Sequence, residues 1–203
     1  MPIRVIAGSA KGRKLKLVPG DSTRPVMDRV KEALFSILGR QIFDANVLDV
    51  FAGTGSVAIE ALSRGAKHAT LIDLDKQAID TIHENLKLTG LAEKATVRRA
   101  DAFVALANKP DSVYDIIYLA PPQYKGMWIK ALQIIDTNMG WLREDGSIIV
   151  QIDPSEREAI TLKSLSLVDE RKYGNTLLLF YEPAQEIQTH LIAAISPDTP
   201  SED

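Results

Sequence analysis

From Asn46 to Tyr181 short apolar runs alternate with stretches of helical periodicity, and this alternation limits the chain to very few architectures. The runs Asn46–Phe51, Ala69–Asp73, Val113–Leu119 and Ser147–Gln151, with a weaker one at Ala95–Arg99, are apolar almost throughout rather than at every second position. Strands read that way when both of their faces are buried. Between them, Val57–Arg64, Lys76–Leu88 and Met127–Asn138 carry the spacing of helices packed on one side. Buried strands joined by crossover helices make a parallel sheet of the α/β class. The last two strands, Leu165–Lys172 and Thr176–Tyr181, are separated only by Tyr173-Gly174-Asn175, too few residues for a parallel crossover. The sheet is therefore mostly parallel and ends in an antiparallel hairpin.

Residues 1–40 are expected to form a separate extension ahead of this domain. Arg4–Ala7 and Arg13–Leu17 read as two short strands around a Gly8–Gly12 turn, with Lys14 and Lys16 on one face and Leu15 and Leu17 on the other. Val26, Val30, Ala33, Leu34, Ile37 and Leu38 then recur at helical spacing between Pro25 and Gly39. The extension holds nine Lys or Arg against three Asp or Glu, although the whole chain has a net charge of −3. Arg4, Lys11, Arg13, Lys14, Lys16, Arg24 and Arg29 are thus candidates for contact with a nucleic-acid backbone. A solvated hairpin whose lysines guard its edge would have the same composition. Residues 41–183 make the main domain, and 184–203 a tail whose last eight residues read as disordered, with a short helix through Ile187, Leu191, Ile192 and Ile195 as the alternative.

Hydrophobic residues at 45% and charged residues at 25% match an ordinary globular protein. There is no cysteine, which excludes disulfides, thiolate catalysis and cysteine-ligated metals, and the three histidines are scattered without ligand spacing. No metal is expected. No apolar stretch approaches the ~20 residues of a membrane span, so a cytoplasmic monomer without membrane contact is the expectation.

The first core strand runs into Asp49-Val50-Phe51-Ala52-Gly53-Thr54-Gly55-Ser56 and then a helix. Glycines here allow a tight turn and let a ligand approach the N–H groups of the helix start. Twenty positions beyond Gly53 the next strand ends in Asp73, followed by Leu74, and a carboxylate there can accept from both hydroxyls of a ribose. The pattern Gly53-Thr54-Gly55-Ser56-Val57-Ala58 also fits a dinucleotide fingerprint, so a nicotinamide-dependent oxidoreductase is a competing reading. Asp49 would repel a pyrophosphate and suits a cation instead. Asp101-Ala102-Phe103 ends a third strand, with a carboxylate for an exocyclic amine and an apolar wall for a purine, and Ala120-Pro121-Pro122-Gln123-Tyr124 ends a fourth. An acidic crevice at the carboxyl edge of such a sheet suits the sulfonium and ammonium of S-adenosylmethionine. Seen singly, each aspartate could equally be a helix cap.

With those residues in that order, the chain resembles the class I S-adenosylmethionine-dependent methyltransferases, whose sheet is Rossmann-like. More narrowly it is similar to the bacterial small-subunit rRNA guanine-N2 methyltransferases (RsmD-like). That resemblance spans most of residues 3–182 and includes Arg4-Val5-Ile6-Ala7-Gly8, Gly12-Arg13-Lys14-Leu15, Arg24-Pro25, Asp28 to Phe35 and Tyr173-Gly174-Asn175-Thr176. It implies methyl transfer to the exocyclic N2 of a guanine in 16S rRNA, within the small ribosomal subunit. It also implies cofactor contacts from Asp49, Phe51, Ala52, Gly53, Thr54 and Gly55, from Asp73 and Leu74 at ribose, and from Asp101 and Ala102 at adenine. Ala120, Pro121, Pro122, Gln123 and Tyr124 would form the transfer site, and the basic front residues would face RNA.

One position departs from the family. An Asp or Asn normally precedes Pro-Pro, with an aromatic directly after, whereas here stand Ala120 and an inserted Gln123 before Tyr124. That side chain normally accepts a hydrogen bond from the target amine and so aligns its lone pair. Either the backbone carbonyls of Ala120 and Pro121 or the Gln123 amide take over, with Tyr124 stacking on the base, or the chain binds cofactor and RNA without transferring the methyl.

Overall fold

The computed structural model describes residues 3–20 and 27–184. Arg24 and the tail from residue 185 lie outside the described residues, as does the alternative helix there. At the front, β1 (Ile3–Arg4) and β2 (Lys14–Leu15) pair antiparallel, and α1 (Asp28–Leu38) follows. Five parallel strands come next: β3 (Asn46–Val50), β4 (His68–Asp73), β5 (Ala95–Arg99), β6 (Tyr114–Leu119) and β7 (Leu142–Ile152). The sheet closes with β8 (Leu165–Tyr173) and β9 (Thr176–Pro183), in the order β5-β4-β3-β6-β7-β9-β8. β9 is antiparallel to both neighbours, and Tyr173 pairs with Thr176 across a two-residue turn whose Gly174 has a φ of 61°. A glycine at the first central position of such a turn matches the twist of the two strands.

Helices cover both faces of the central strands, which is why β3, β4 and β6 are buried almost throughout, whereas the edge strand β8 is mostly exposed. α1, α2 (Ser56–Ser63) and α3 (Lys76–Thr89) pack on one face through Leu34, Leu62 and Ile82, and α5 (Met127–Thr137) with α4 (Ala102–Ala107) on the other through Trp128, Leu132 and Leu106. The described residues depart from the periodicity in five places. β1 covers Ile3–Arg4 rather than Arg4–Ala7, because the chain turns off at Val5 towards α2. α4 is an additional helix; β7 begins at Leu142, before its apolar run, with a register shift against β6. Leu17 is exposed while Val18 is buried, because β2 ends at Leu15 and the alternation stops there. On α1, Ile37 faces solvent and Lys31 is fully buried.

Lys31 is buried because its charge is matched. Its Nζ donates to the Arg4 carbonyl at 2.6 Å and lies 3.7 Å from the carboxylate of Glu60, itself fully buried on α2. Burial lowers the Lys31 pKa, and the Glu60 charge works against that fall. Glu60 also accepts from the backbone N–H groups of Ile6 (2.8 Å) and Ala7 (3.0 Å) and from Arg64 Nε (2.7 Å). One turn on, Ser63 Oγ donates to the Ala7 carbonyl and accepts from Ala10 N–H, and its carbonyl accepts from Ser9 N–H. Gly8 lies so close here that a Cβ would sit 1.8 Å from the Ser63 carbonyl oxygen, and its φ of +83° also favours glycine. The front segment is thus fastened to α2 as part of one core that includes Ile3, Val5 and Leu15.

Removing one partner of a buried ion pair strands the other, at a cost of about 3–5 kcal/mol. Glu60→Leu is therefore expected to lose that much stability in urea denaturation and to open residues 3–18 to limited proteolysis. Adding Lys31→Met should recover part of the loss, because no buried ammonium is then left unpaired.

Candidate cofactor and methyl-transfer cleft

Parallel strands in register deliver their carboxyl ends to one edge. Val97, Leu71, Asp49, Tyr118 and Ile149 form one row across β5, β4, β3, β6 and β7, so the residues just beyond emerge side by side. There they enclose a cavity of about 680 Å³, within the ~300–1,000 Å³ usual for small-molecule sites. Of the residues singled out for cofactor or transfer, Asp49, Phe51, Ala52, Gly53, Thr54, Asp73, Leu74, Asp101, Ala102, Ala120, Pro121, Pro122, Gln123 and Tyr124 line it. Gly55 does not. It caps α2 at a φ of 73°, where a Cβ would press on Leu71 and Ile82, so its part is to turn the loop.

Each aspartate also holds the loop that presents it. Asp49 Oδ2 accepts from Ala58 N–H in the first turn of α2 (3.3 Å), and Asp73 accepts from Gly53 N–H (2.8 Å) and Asp75 N–H (2.9 Å). Asp101 Oδ1 caps α4 through Phe103 and Val104 N–H, and its Oδ2 makes no hydrogen bond among the described residues. The capping and ligand-facing readings of these residues are therefore compatible. Asp49 is the most perturbed. Burial lifts its carboxyl to about 7, the Ala58 N–H opposes that rise, and Asp73 adds to it.

The apolar part of the wall comes from Phe51 and Phe103, whose rings meet edge-on at 5.9 Å, with Lys130 Nζ 4.2 Å from the centre of Phe103. Phe51 and Tyr124 both have positive φ, 68° and 62°. Such backbone costs ~1–3 kcal/mol and persists only where the surroundings hold it. Tyr124 is held by Glu156, whose carboxylate accepts its N–H at 2.7 Å and also closes a capping box with Asp153 beyond β7. The loop after Ala120 is thereby tied to the neighbouring strand end, with Tyr124 66% exposed at the rim. Pro121 is buried and Pro122 exposed.

A family model described as Conserved hypothetical protein 95 matches residues 3–182. The chain belongs to that family. It is 41% identical over 182 residues to the "Putative rRNA methyltransferase YlbH" of Bacillus subtilis (strain 168), covering 89% of this chain and 98% of that one. It is 34% identical over 180 residues to Ribosomal RNA small subunit methyltransferase D of Escherichia coli (strain K12), covering 89% of each. The solved structure of the "Putative methyltransferase yhhF from Escherichia coli" matches with a TM-score of 0.80 at 34% identity, over 90% of this chain and 98% of that chain. The mixed α/β fold of this Conserved hypothetical protein 95 member is that of methyltransferase structures.

In this member, Lys11, Arg13, Lys14 and Arg29 are exposed. Arg4 pairs with Asp28 (3.0 Å) and Lys16 with Glu84 (2.7 Å). The Lys16 backbone is also tied to the glycine loop, because the fully buried Asn85 accepts from its N–H and donates both to its carbonyl and to that of Thr54. Sequence reasoning missed Asp75, Tyr118, Met127 and Gln151, which also line the cavity. Tyr118 and Gln151 read as ordinary core positions of apolar strands, and only the register between strands sets them at the edge. Among the described residues no group of acids and histidines could hold a metal ion, and no helix is long and apolar enough to cross a membrane.

Asp49→Asn keeps an acceptor for Ala58 N–H and removes the titration. An unfolded aspartate ionises near pH ~4 and this one, when folded, near 7, so the native state loses stability as pH rises between those values. The variant should melt close to the unsubstituted protein near pH 4, progressively above it up to pH 7, and by a constant margin beyond, as followed by circular dichroism.

Proposed function

We propose that this protein transfers a methyl group from S-adenosylmethionine to the exocyclic N2 of a guanine in small-subunit rRNA. The observation that carries the reading is the acidic cavity lined at one end by the Asp49, Asp73 and Asp101 loops and at the other by Ala120-Pro121-Pro122-Gln123-Tyr124. The names of its relatives, rRNA methyltransferases, support the same reaction and substrate class.

The residues present fit such a cofactor. Asp49 would meet its cationic end, and the second lone pairs of the Asp73 carboxylate would suit ribose hydroxyls. The free Asp101 Oδ2 suits an adenine amine, with Ala102, Phe103, Phe51 and Leu74 as the apolar surround. Asp49 at the cavity floor speaks against the pyrophosphate of a nicotinamide cofactor. When bound, S-adenosylmethionine supplies an activated methyl: the amine–carbon bond forms as carbon–sulfur breaks, the electron pair stays on sulfur, and the nitrogen sheds one proton to water. The chain's own task is alignment and exclusion of water, for which Pro121 and the Glu156-held Tyr124 form one side. Lys11, Arg13 and Lys14 supply exposed positive charge for the RNA backbone. Ala120 favours a second reading, in which cofactor and RNA bind but no methyl moves.

Incubation with radiolabelled S-adenosylmethionine and small subunits from cells lacking the protein is expected to label one guanine; retention of no label would favour the second reading. Asp73→Ala should weaken cofactor binding strongly in calorimetry. Changing Lys11, Arg13 and Lys14 together to Ala should lower the slope of log affinity against log salt by ~0.7–0.9 for each phosphate that is no longer neutralised.

A further inference from the structure

If the reaction is the amine methylation proposed above, Ala120 offers the target amine no side-chain acceptor at the end of β6, and the strand beside it supplies one. The last pair between β6 and β7 is Leu119 with Val150, so one step further along brings Ala120 alongside Gln151, and both line the cavity. Gln151 is half-buried, and its Oε1 accepts from the Tyr118 phenol at 2.6 Å. Tyr118 is itself buried among α1 and sheet residues, and burial with the Asp49 charge holds its pKa well above the usual value, so the phenol remains a donor. The amide is thus fixed before any substrate arrives. Its Oε1 keeps a second lone pair, and its amide nitrogen donates to no group among the described residues. Gln123 is half-buried as well but makes no hydrogen bond among the described residues, so using it would cost the ordering of its side chain.

We propose that Gln151, oriented by Tyr118, accepts the hydrogen bond from the reacting amine that the side chain at position 120 does not provide. An amide offers an acceptor and a donor on one edge, which matches an amine N–H beside an unprotonated ring nitrogen, the N2–N3 edge of guanine. A neutral amide takes no proton. Its part is to hold one N–H in place so that the nitrogen lone pair faces the methyl donor, while the proton released after transfer leaves to water.

The test is steady-state methylation of small subunits lacking the modification, with cofactor affinity measured separately by calorimetry. Gln151→Leu is expected to lower kcat by ~100-fold, as for loss of one preorganised hydrogen bond, with cofactor Kd changed by less than about twofold. Tyr118→Phe should lower kcat by ~10-fold, because the amide then has to be ordered by the substrate. Restoring the acceptor on the neighbouring strand, as Ala120→Asn in the Gln151→Leu background, should recover at least ~10-fold, which a merely structural role of Gln151 would not allow. If Gln151→Leu does not fold, Gln151→Met with the same rescue serves instead. Turnover within about threefold of the unsubstituted protein, or no recovery on adding Ala120→Asn, overturns the assignment and leaves the proposed function standing. Cofactor binding with no turnover in the unsubstituted protein overturns the methyl-transfer reading and this assignment with it.

Discussion

A helix buried on every side has nowhere to put a charge except against other groups of the protein, and the structure is arranged around meeting that requirement for α2. All eight of its residues are buried, Glu60 and Ser63 among them. The sheet covers one side with apolar side chains and can offer Glu60 nothing. The front segment supplies N–H groups to the carboxylate, and α1 supplies an ammonium. α2 begins where the glycine loop ends, so the groups that satisfy Glu60 also hold the helix whose first turn binds Asp49. Arg64 completes the arrangement, bonded to Glu60 and lying 4.8 Å from the centre of the Phe35 ring on α1.

The cleft repeats this economy. Its aspartates fix the loops that carry them, leaving part of each carboxylate for a ligand, so the crevice is organised before anything enters it. A preorganised negative site suits a methyl donor bearing positive charge, because little rearrangement is needed on binding. The raised pKa of Asp49 shows the cost of that design in the free protein: an anion kept ready, away from water and near a second anion, is held at the margin of ionisation.

Much of this was legible in the sequence. The apolar runs located β3, β4, β6 and the core of β7 because double burial leaves no other pattern, whereas the edge strands β5 and β8 are less buried and more mixed in sequence; the short gap at Gly174 required the final hairpin. The loop acids were legible because glycines and aspartates recur just after strands. α4 was not: six residues make fewer than two turns, too few to reveal a period. The early start of β7 was hidden by Arg143-Glu144-Asp145, a charged stretch that belongs to a strand only because the ladder to β6 resumes after the irregularity. Lys31 and Glu60 look like surface residues in sequence, since their burial depends on partners 29 residues apart. Tyr118 and Gln151 became visible as cleft residues only once the register of β6 against β7 was known.

The fastenings of the front segment share one property. Glu60 holds the N–H groups of Ile6 and Ala7; Ser63 holds main-chain atoms of Ala7, Ser9 and Ala10; Lys31 holds the Arg4 carbonyl; Asn85 holds both main-chain groups of Lys16. Apart from the glycine that close approach demands at position 8, these bonds do not depend on which side chains the segment carries. Its outward chemistry is therefore uncoupled from its placement. Related chains could rewrite the charges at positions 11, 13 and 14 to suit a different polyanion while the scaffold beneath stayed the same, and a protein engineer could use that surface as an exchangeable address label.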